Sequence, residues 1–408
     1  MDMETVDTVI QVNDDEMISL LKSMIQHKSY SGEEGKLSLF MADYLRNMGL
    51  EVEMQEVVPG RYNIIGVLKG TGGGESVMYN GHIDTNPIGL GWTVDPLAGY
   101  VDDECIYGIG VSNMKASDSA FVAAVKAIVD SGVRLKGDII VGLVIGELQG
   151  GIGTIHMLES GINADWFING EPTDLSLMTL HAGACEIAIH VYGVSRHLSK
   201  AEQGVNAIEQ AKKVMDGLAS LQFSGATKPQ YAGLNRYNIG VIRGGLGDEY
   251  HEWRIPQLPD KCTLKVALRF APSQTAESIV ADVQNLLDRL HVEDPEFKAE
   301  IELLNGPGYP VMGSFEIDEN EAVVQVMRAA HERITGAKPR VGDVAPYKFY
   351  GTDAAHLQKA GIKGVIYGCG GKYNTMPDER VELKDLKTCA RVYAASIVEI
   401  CNCEKTRP

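Results

Sequence analysis

The stretch GDIIVGLVIGE, residues 137–147, carries no polar side chain between Asp138 and Glu147. A short, unbroken apolar run reads as a strand covered on both faces, the kind found in parallel sheets flanked by helices. Around it the chain alternates. Strand-like runs LEVEMQEV, YNIIGVLKG and SVMYNG follow two helical patterns, the first opening at Asn13 with Glu16 three residues on. DSAFVAAVKAIVDSG, residues 118–132, reads as a further helix. This order predicts an α/β domain with a mixed, largely parallel sheet.

From about Ala184 to Leu303 the rhythm changes. CEIAIHVYG alternates like a half-exposed strand, VNAIEQAKKVMDGLASL is an amphipathic helix, and YNIGVIRGG and CTLKVALRF are strands before a second helix, TAESIVADVQNLLDRL. That order predicts an inserted α+β domain of split βαβ, ferredoxin-like type. The expected plan is 1–183 and 304–408 forming one catalytic domain, with 184–303 as the insert.

A net charge of -18 argues against nucleic acid and against acidic membrane surfaces as partners. No apolar run is long enough to span a bilayer, and the acidic first residues, MDMETVDTVIQVNDDE, lack a basic leader. Seven scattered cysteines do not suggest a disulfide framework, so a reducing cytoplasm is the expected location.

Polar clusters stand at strand ends, where α/β sheets keep their sites. GHIDT places His82 two residues before Asp84, close enough for the carboxylate to orient the imidazole; the plainer reading is a satisfied histidine at a capped strand end. Asn113 sits in IYGIGVSNMKAS, at a turn that runs into a helix, where helix capping is its plainer role. Glu147 ends the apolar run and meets the glycine turn GELQGGIGT, and Glu171 follows DWFI in INGEPT. A carboxylate at the end of a buried strand is costly unless it is solvated, paired or functional.

Together these motifs, with WTVDPLAG, RHLSKAEQGVNAI, GTDAAHL and MPDERV, occur in the order of a known family. The chain resembles the zinc-dependent aminoacylase, acetylornithine deacetylase, succinyl-diaminopimelate desuccinylase and glutamate carboxypeptidase family. That resemblance implies two zinc ions about 3.5 Å apart in relatives, and a lid domain that also forms the dimer interface. It assigns His82 and Glu171 as ligands of one metal, Asp84 as the residue clamping that histidine, and Glu147 as the base. It assigns His197 as the lid histidine that supports the oxyanion in a partner's site, and therefore a homodimer or higher oligomer.

The departures are equally specific. The bridging Asp of the family is Asn113 here, the second-metal carboxylate is Leu148, and the late histidine before PDE is replaced by Asn374 or Thr375. Ile109 stands for the family's turn arginine, Trp253 for a lid asparagine and Cys369 for a proline. A neutral amide cannot screen two dications, and leucine offers no ligand. One divalent ion of zinc or manganese type, weakly bound at His82, Glu171 and Asn113, is the expected remainder. The expected reaction is hydrolysis of an amide or aromatic-amine C–N bond in a small substrate. Arg269, Arg254 and Trp253 are the candidate substrate contacts, with arginine suiting a carboxylate. Two other readings stay open at this level: a metal-free binding or regulatory protein, and metal-free chemistry with Cys369 as nucleophile.

Overall fold

The computed structural model describes residues 9–252 and 255–405. The chain divides into two compact units: Met1–Leu180 with Phe315–Lys348 and Thr352–Pro408, and His181–Ser314 with Phe349–Gly351.

The first unit is built on an eight-stranded mixed sheet. In chain order its main elements are α1 (Asp14–Gln26), α2 (Gly35–Asn47), β1 (Glu51–Val58), β2 (Arg61–Leu68), β3 (Val77–His82), α3 (Ala116–Ser131), β4 (Ile139–Val144), α4 (Ile152–Glu159), β5 (Trp166–Asn169) and β6 (Leu177–Met178). The strands run in the order β1-β2-β4-β3-β5 and continue with strands from later in the chain. The apolar run named above is β4, buried at every position. It pairs parallel with β3, which pairs parallel with β5 on its other side. Asn13 caps α1 by accepting the Glu16 N–H at 3.1 Å.

The second unit follows a β-α-β-β-α-β order: β7 (Gly183–Tyr192), α5 (Ala207–Ser220), β8 (Arg236–Gly245), β9 (Lys261–Phe270), α6 (Ala276–Glu293) and β10 (Lys298–Leu303). Its strands form one antiparallel sheet in the order β8-β9-β7-β10. Alternate residues of β7, among them Cys185, Ile187, Ile189 and Val191, enter a core with Val214, Leu218, Val283 and Leu287 of the two helices. The chain then returns to the first unit through α7 (Ala322–Thr335), β11 (Val341–Gly342), α8 (Ala354–Lys359), β12 (Lys363–Ile366) and α9 (Leu383–Asn402). The expected fold class, a largely parallel α/β sheet with an inserted α+β fold, is what the chain adopts. No helix among the described residues is long and apolar enough to cross a membrane.

Register is what positions the site. His82 is level with Val144 across β3 and β4, and Asn80 is level with Asn169 across β3 and β5. His82, Glu147 and Glu171 therefore leave neighbouring parallel strands at the same, carboxyl end of the sheet. Behind this edge Tyr79, Phe121 and Tyr393 stack β3, α3 and α9 together, with Tyr79 and Phe121 centroids 4.3 Å apart.

Near the same end of the sheet Glu34, just before α2, is fully buried against Arg61 of β2. Two bonds join them, Nε to Oε2 at 2.7 Å and Nη2 to Oε1 at 2.5 Å. Removing one member of such a pair strands a buried charge. Arg61→Met is expected to destabilise the protein by about 3–5 kcal/mol, and adding Glu34→Gln to recover most of that loss. Urea unfolding of the single and double variants measures it; equal damage in both would show that the pair's charge is not what matters.

Candidate functional site

His82 ends β3 with its ring almost fully buried. Its Nδ1 lies 2.9 Å from the backbone carbonyl oxygen of Asp84 and 3.5 Å from Asp84 Oδ1. With Nδ1–H donating to that carbonyl, the Nε2 lone pair faces oxygens: Asn113 Oδ1 at 3.1 Å, Glu171 Oε1 at 3.4 Å and Glu147 Oε2 at 3.9 Å. Four electron-rich atoms meeting in a buried space need a cation or a shared proton among them. Without an ion a proton serves. Burial pulls the His82 pKa down, but hydrogen bonding and charge from Asp84 and Glu171 overcome it and hold the imidazole well above its ordinary value.

The fit to a metal can be tested on these distances. Ligands bound tetrahedrally at about 2.1 Å lie about 3.4 Å from one another. Asn113 Oδ1 and Glu171 Oε1 stand at that edge length from Nε2, whereas Glu147 stands further off. Donor atoms of His82, Glu147 and Glu171 all fall within 4.8 Å of one another. One ion fits. On the other side of Asn113 lie Ile109, Leu148, Thr375 and Met376, which carry no charged group, and Glu379, whose carboxylate accepts three backbone N–H groups.

Asp84 faces the ring with both its carbonyl and Oδ1, and its fully buried carboxylate also accepts from Ser31 Oγ at 2.7 Å, Glu147 N at 3.1 Å and Leu148 N at 3.3 Å. It positions the backbone of the neighbouring turn. That turn, Glu147–Gln149, is flanked by Gly146 (φ 68°), Gly150 (φ 77°) and Gly151 (φ 81°), left-handed conformations that favour glycine. A Cβ on Gly151 would also lie 2.6 Å from the His356 ring, whose Nε2 is 2.9 Å from the Gly150 carbonyl. Burial, then the charge of Glu171, pushes the Glu147 carboxyl well above the usual range.

Asn113 is not a helix cap. Its backbone is extended (φ -123°, ψ 88°), and α3 begins only at Ala116. Glu379, which sequence reasoning passed over, fixes it. The Glu379 carboxylate accepts the N–H groups of Gly110 at 3.2 Å, Ser112 at 2.8 Å and Asn113 at 3.1 Å. The motif MPDERV was in view, but the N–H groups that need an acceptor lie more than 260 positions away. Below the cluster a buried polar relay runs from Asn169 to Asn80, Thr154 and Asp353, each step at 2.8 Å.

The remaining candidates lie elsewhere. His197 is exposed in the second unit, where its Nδ1 accepts from Ser199 N at 3.2 Å. Arg269, also in the second unit, donates through Nε to the Phe349 carbonyl at 3.2 Å. Trp253 and Arg254 lie outside the described residues. Cys369 is sealed from solvent with its Sγ 3.8 Å from Ser117 Oγ, so it meets no substrate, and the reading that makes it a nucleophile is set aside.

The site's acids give a pH signature. Burial pushes Asp118 up to about 8 and Asp353 and Glu379 up to about 7. An acid that stays protonated in the fold but ionises on unfolding costs stability as pH rises toward its folded value. Lys115, pushed down to about 7 by burial, acts in the opposite sense only above that pH. The thermal midpoint of the ion-free protein is therefore expected to fall between about pH 5 and pH 7, and added divalent ion to reduce the fall, because binding favours ionised ligands. A flat or rising profile in thermal unfolding would contradict protonated buried acids.

Comparison with known proteins agrees with this geometry. Against N-formyl-4-amino-5-aminomethyl-2-methylpyrimidine deformylase of Bacillus subtilis (strain 168), the chain is 27% identical with 97% of each chain covered. A tripeptidase from Staphylococcus aureus superposes with a TM-score of 0.77 at 21% identity, covering 96% of this chain and 99% of the other. An M20 family metallo-carboxypeptidase from Sulfolobus solfataricus gives 0.77 at 15% identity, covering 95% and 99%. The sequence model of peptidase family M20/M25/M40 matches residues 78–399, so the chain belongs to that family of hydrolases.

Proposed function

We propose that this hydrolase cleaves an amide or related C–N bond of a small molecule, using one divalent ion of zinc or manganese type and Glu147 as the base. The observation that carries the reading is the arrangement around His82 Nε2, with Asn113 and Glu171 oxygens at ligand-edge distance and Glu147 set back. Held by His82, Glu171 and Asn113, the ion supplies Lewis-acid chemistry, polarising a carbonyl and lowering the pKa of water. With one carboxylate and one neutral amide among its ligands, it is expected to be weakly held.

The protein's own residues do the rest. Glu147 takes a proton from the attacking water and returns it to the leaving nitrogen. Asp84 keeps Glu147 in place by binding its backbone N–H. Glu379 does the same for Asn113. The deformylase relative acts on an N-formyl amide, which supports an amide as the bond class here. His197 as oxyanion support from a partner subunit, and Arg269, Arg254 and Trp253 as substrate contacts, remain part of the proposal, as do the homodimer and the cytoplasmic location.

A second reading has an observation behind it. A proton on His82 can satisfy the same oxygens, as a metal-free binding protein would need. Calorimetric titration with Zn²⁺ and Mn²⁺ separates the two: about one ion per chain, with amide hydrolysis that follows loading and is lost to a chelator, is the expected result. No binding of either ion would leave the metal-free reading. Glu147→Gln should lower kcat by about 10²–10⁴-fold while ion binding persists; near-full turnover would remove Glu147 as the base. Asn113→Asp should tighten ion binding, and an unchanged affinity would mean that Asn113 does not face the ion.

A further inference from the structure

Beside the cluster lies a cavity of about 230 Å³, reached past the fully exposed side chain of Leu90. Its floor is Ile109, Asn113 and Leu148, so it begins where the His82 cluster ends and one residue from Glu147. Its walls are two loops, one following β3 and one preceding α9. Asp378 clasps them together, accepting Thr93 N at 2.8 Å, Thr93 Oγ1 at 2.7 Å and Val94 N at 3.3 Å.

The lining defines the guest. Leu148, Ile109, Leu90, Trp92, Met376 and Pro377 give it an apolar surface with one aromatic side chain. Among the described residues that line it the sole ionisable group is Glu379, whose carboxylate is occupied by three backbone N–H groups. Nothing here pairs with an anion, and a charge brought into an apolar lining without a partner is strongly penalised. Size narrows the guest further. An apolar cavity of about 150 Å³ holds a benzene molecule, so 230 Å³ has room for one six-membered ring with a substituent.

We propose that this cavity binds an uncharged aromatic ring of the substrate beside the bond that is cleaved, and that Leu148 selects for it. The inference takes its meaning from the hydrolase reading above, because the cavity shares Asn113 with the His82 cluster. Its test does not need that reading. The full-length, ion-free protein is titrated by calorimetry with benzamide, with acetamide as the ringless probe and benzoate as the charged one. Saturable benzamide binding is expected, with acetamide and benzoate weaker by roughly tenfold or more. Leu148→Phe fills the floor and Met376→Trp fills the rim, where Met376 is 44% exposed and substitution carries little folding risk. Each is expected to weaken benzamide roughly tenfold or more; should Leu148→Phe not fold, Met376→Trp carries the test. Benzamide binding that is untouched by the filling variants, or that is no better than acetamide or benzoate, overturns the proposal. Zn²⁺ titrated alone into the same protein keeps the two questions apart. Failure to bind Zn²⁺ counts against the hydrolase reading, while benzamide binding lost on filling supports the ring site either way.

Discussion

A carboxylate sealed from water must find donors inside the fold, and Asp84 shows how far that demand reaches. Its two oxygens take a hydroxyl from Ser31 and the backbone N–H groups of Glu147 and Leu148. The first donor lies in the loop before α2, the others in the turn after β4. Satisfying one buried charge thus fixes the turn that carries Glu147 against the end of β3 that carries His82. Glu379 repeats the device with three N–H groups around Asn113. Hydrogen bonds to an ionised acceptor are the stronger kind, and those to Asp84 hold backbone, leaving the side chains of the cluster free to face one another.

Strand ends in a parallel sheet explain why much of this was legible. An unbroken apolar run such as residues 139–146 has few interpretations, and polar residues just beyond several such runs must converge once the strands are parallel and in register. His82, Glu147 and Glu171 stood out as polar groups at such strand ends, and the family resemblance gave them their roles. The insert was readable because its strands keep a period of two, as the alternating burial of β7 shows.

What stayed hidden depends on contacts between distant segments. The role of Asp84's carboxylate required knowing that the Glu147 turn passes beside it. Glu379 gave no local sign, since a glutamate after an aspartate is usually solvated. The plainer reading of Asn113 as a helix cap fails because Glu379 holds its N–H in an extended segment before the helix begins. The protonated Asp118 and Asp353 are products of burial by the whole sheet and its helices. Position 148 was readable only as a departure from relatives; that it floors a cavity needed the fold.

The attachment of the 147–148 turn through its N–H groups has an evolutionary consequence. Asp84 grips atoms that every residue except proline possesses, so the identity of the side chain at position 148 does not enter the turn's support. A lineage can exchange a carboxylate for leucine there, and return, without rebuilding the base next to it. The side chain at position 148 can then change on a backbone that stays where it was.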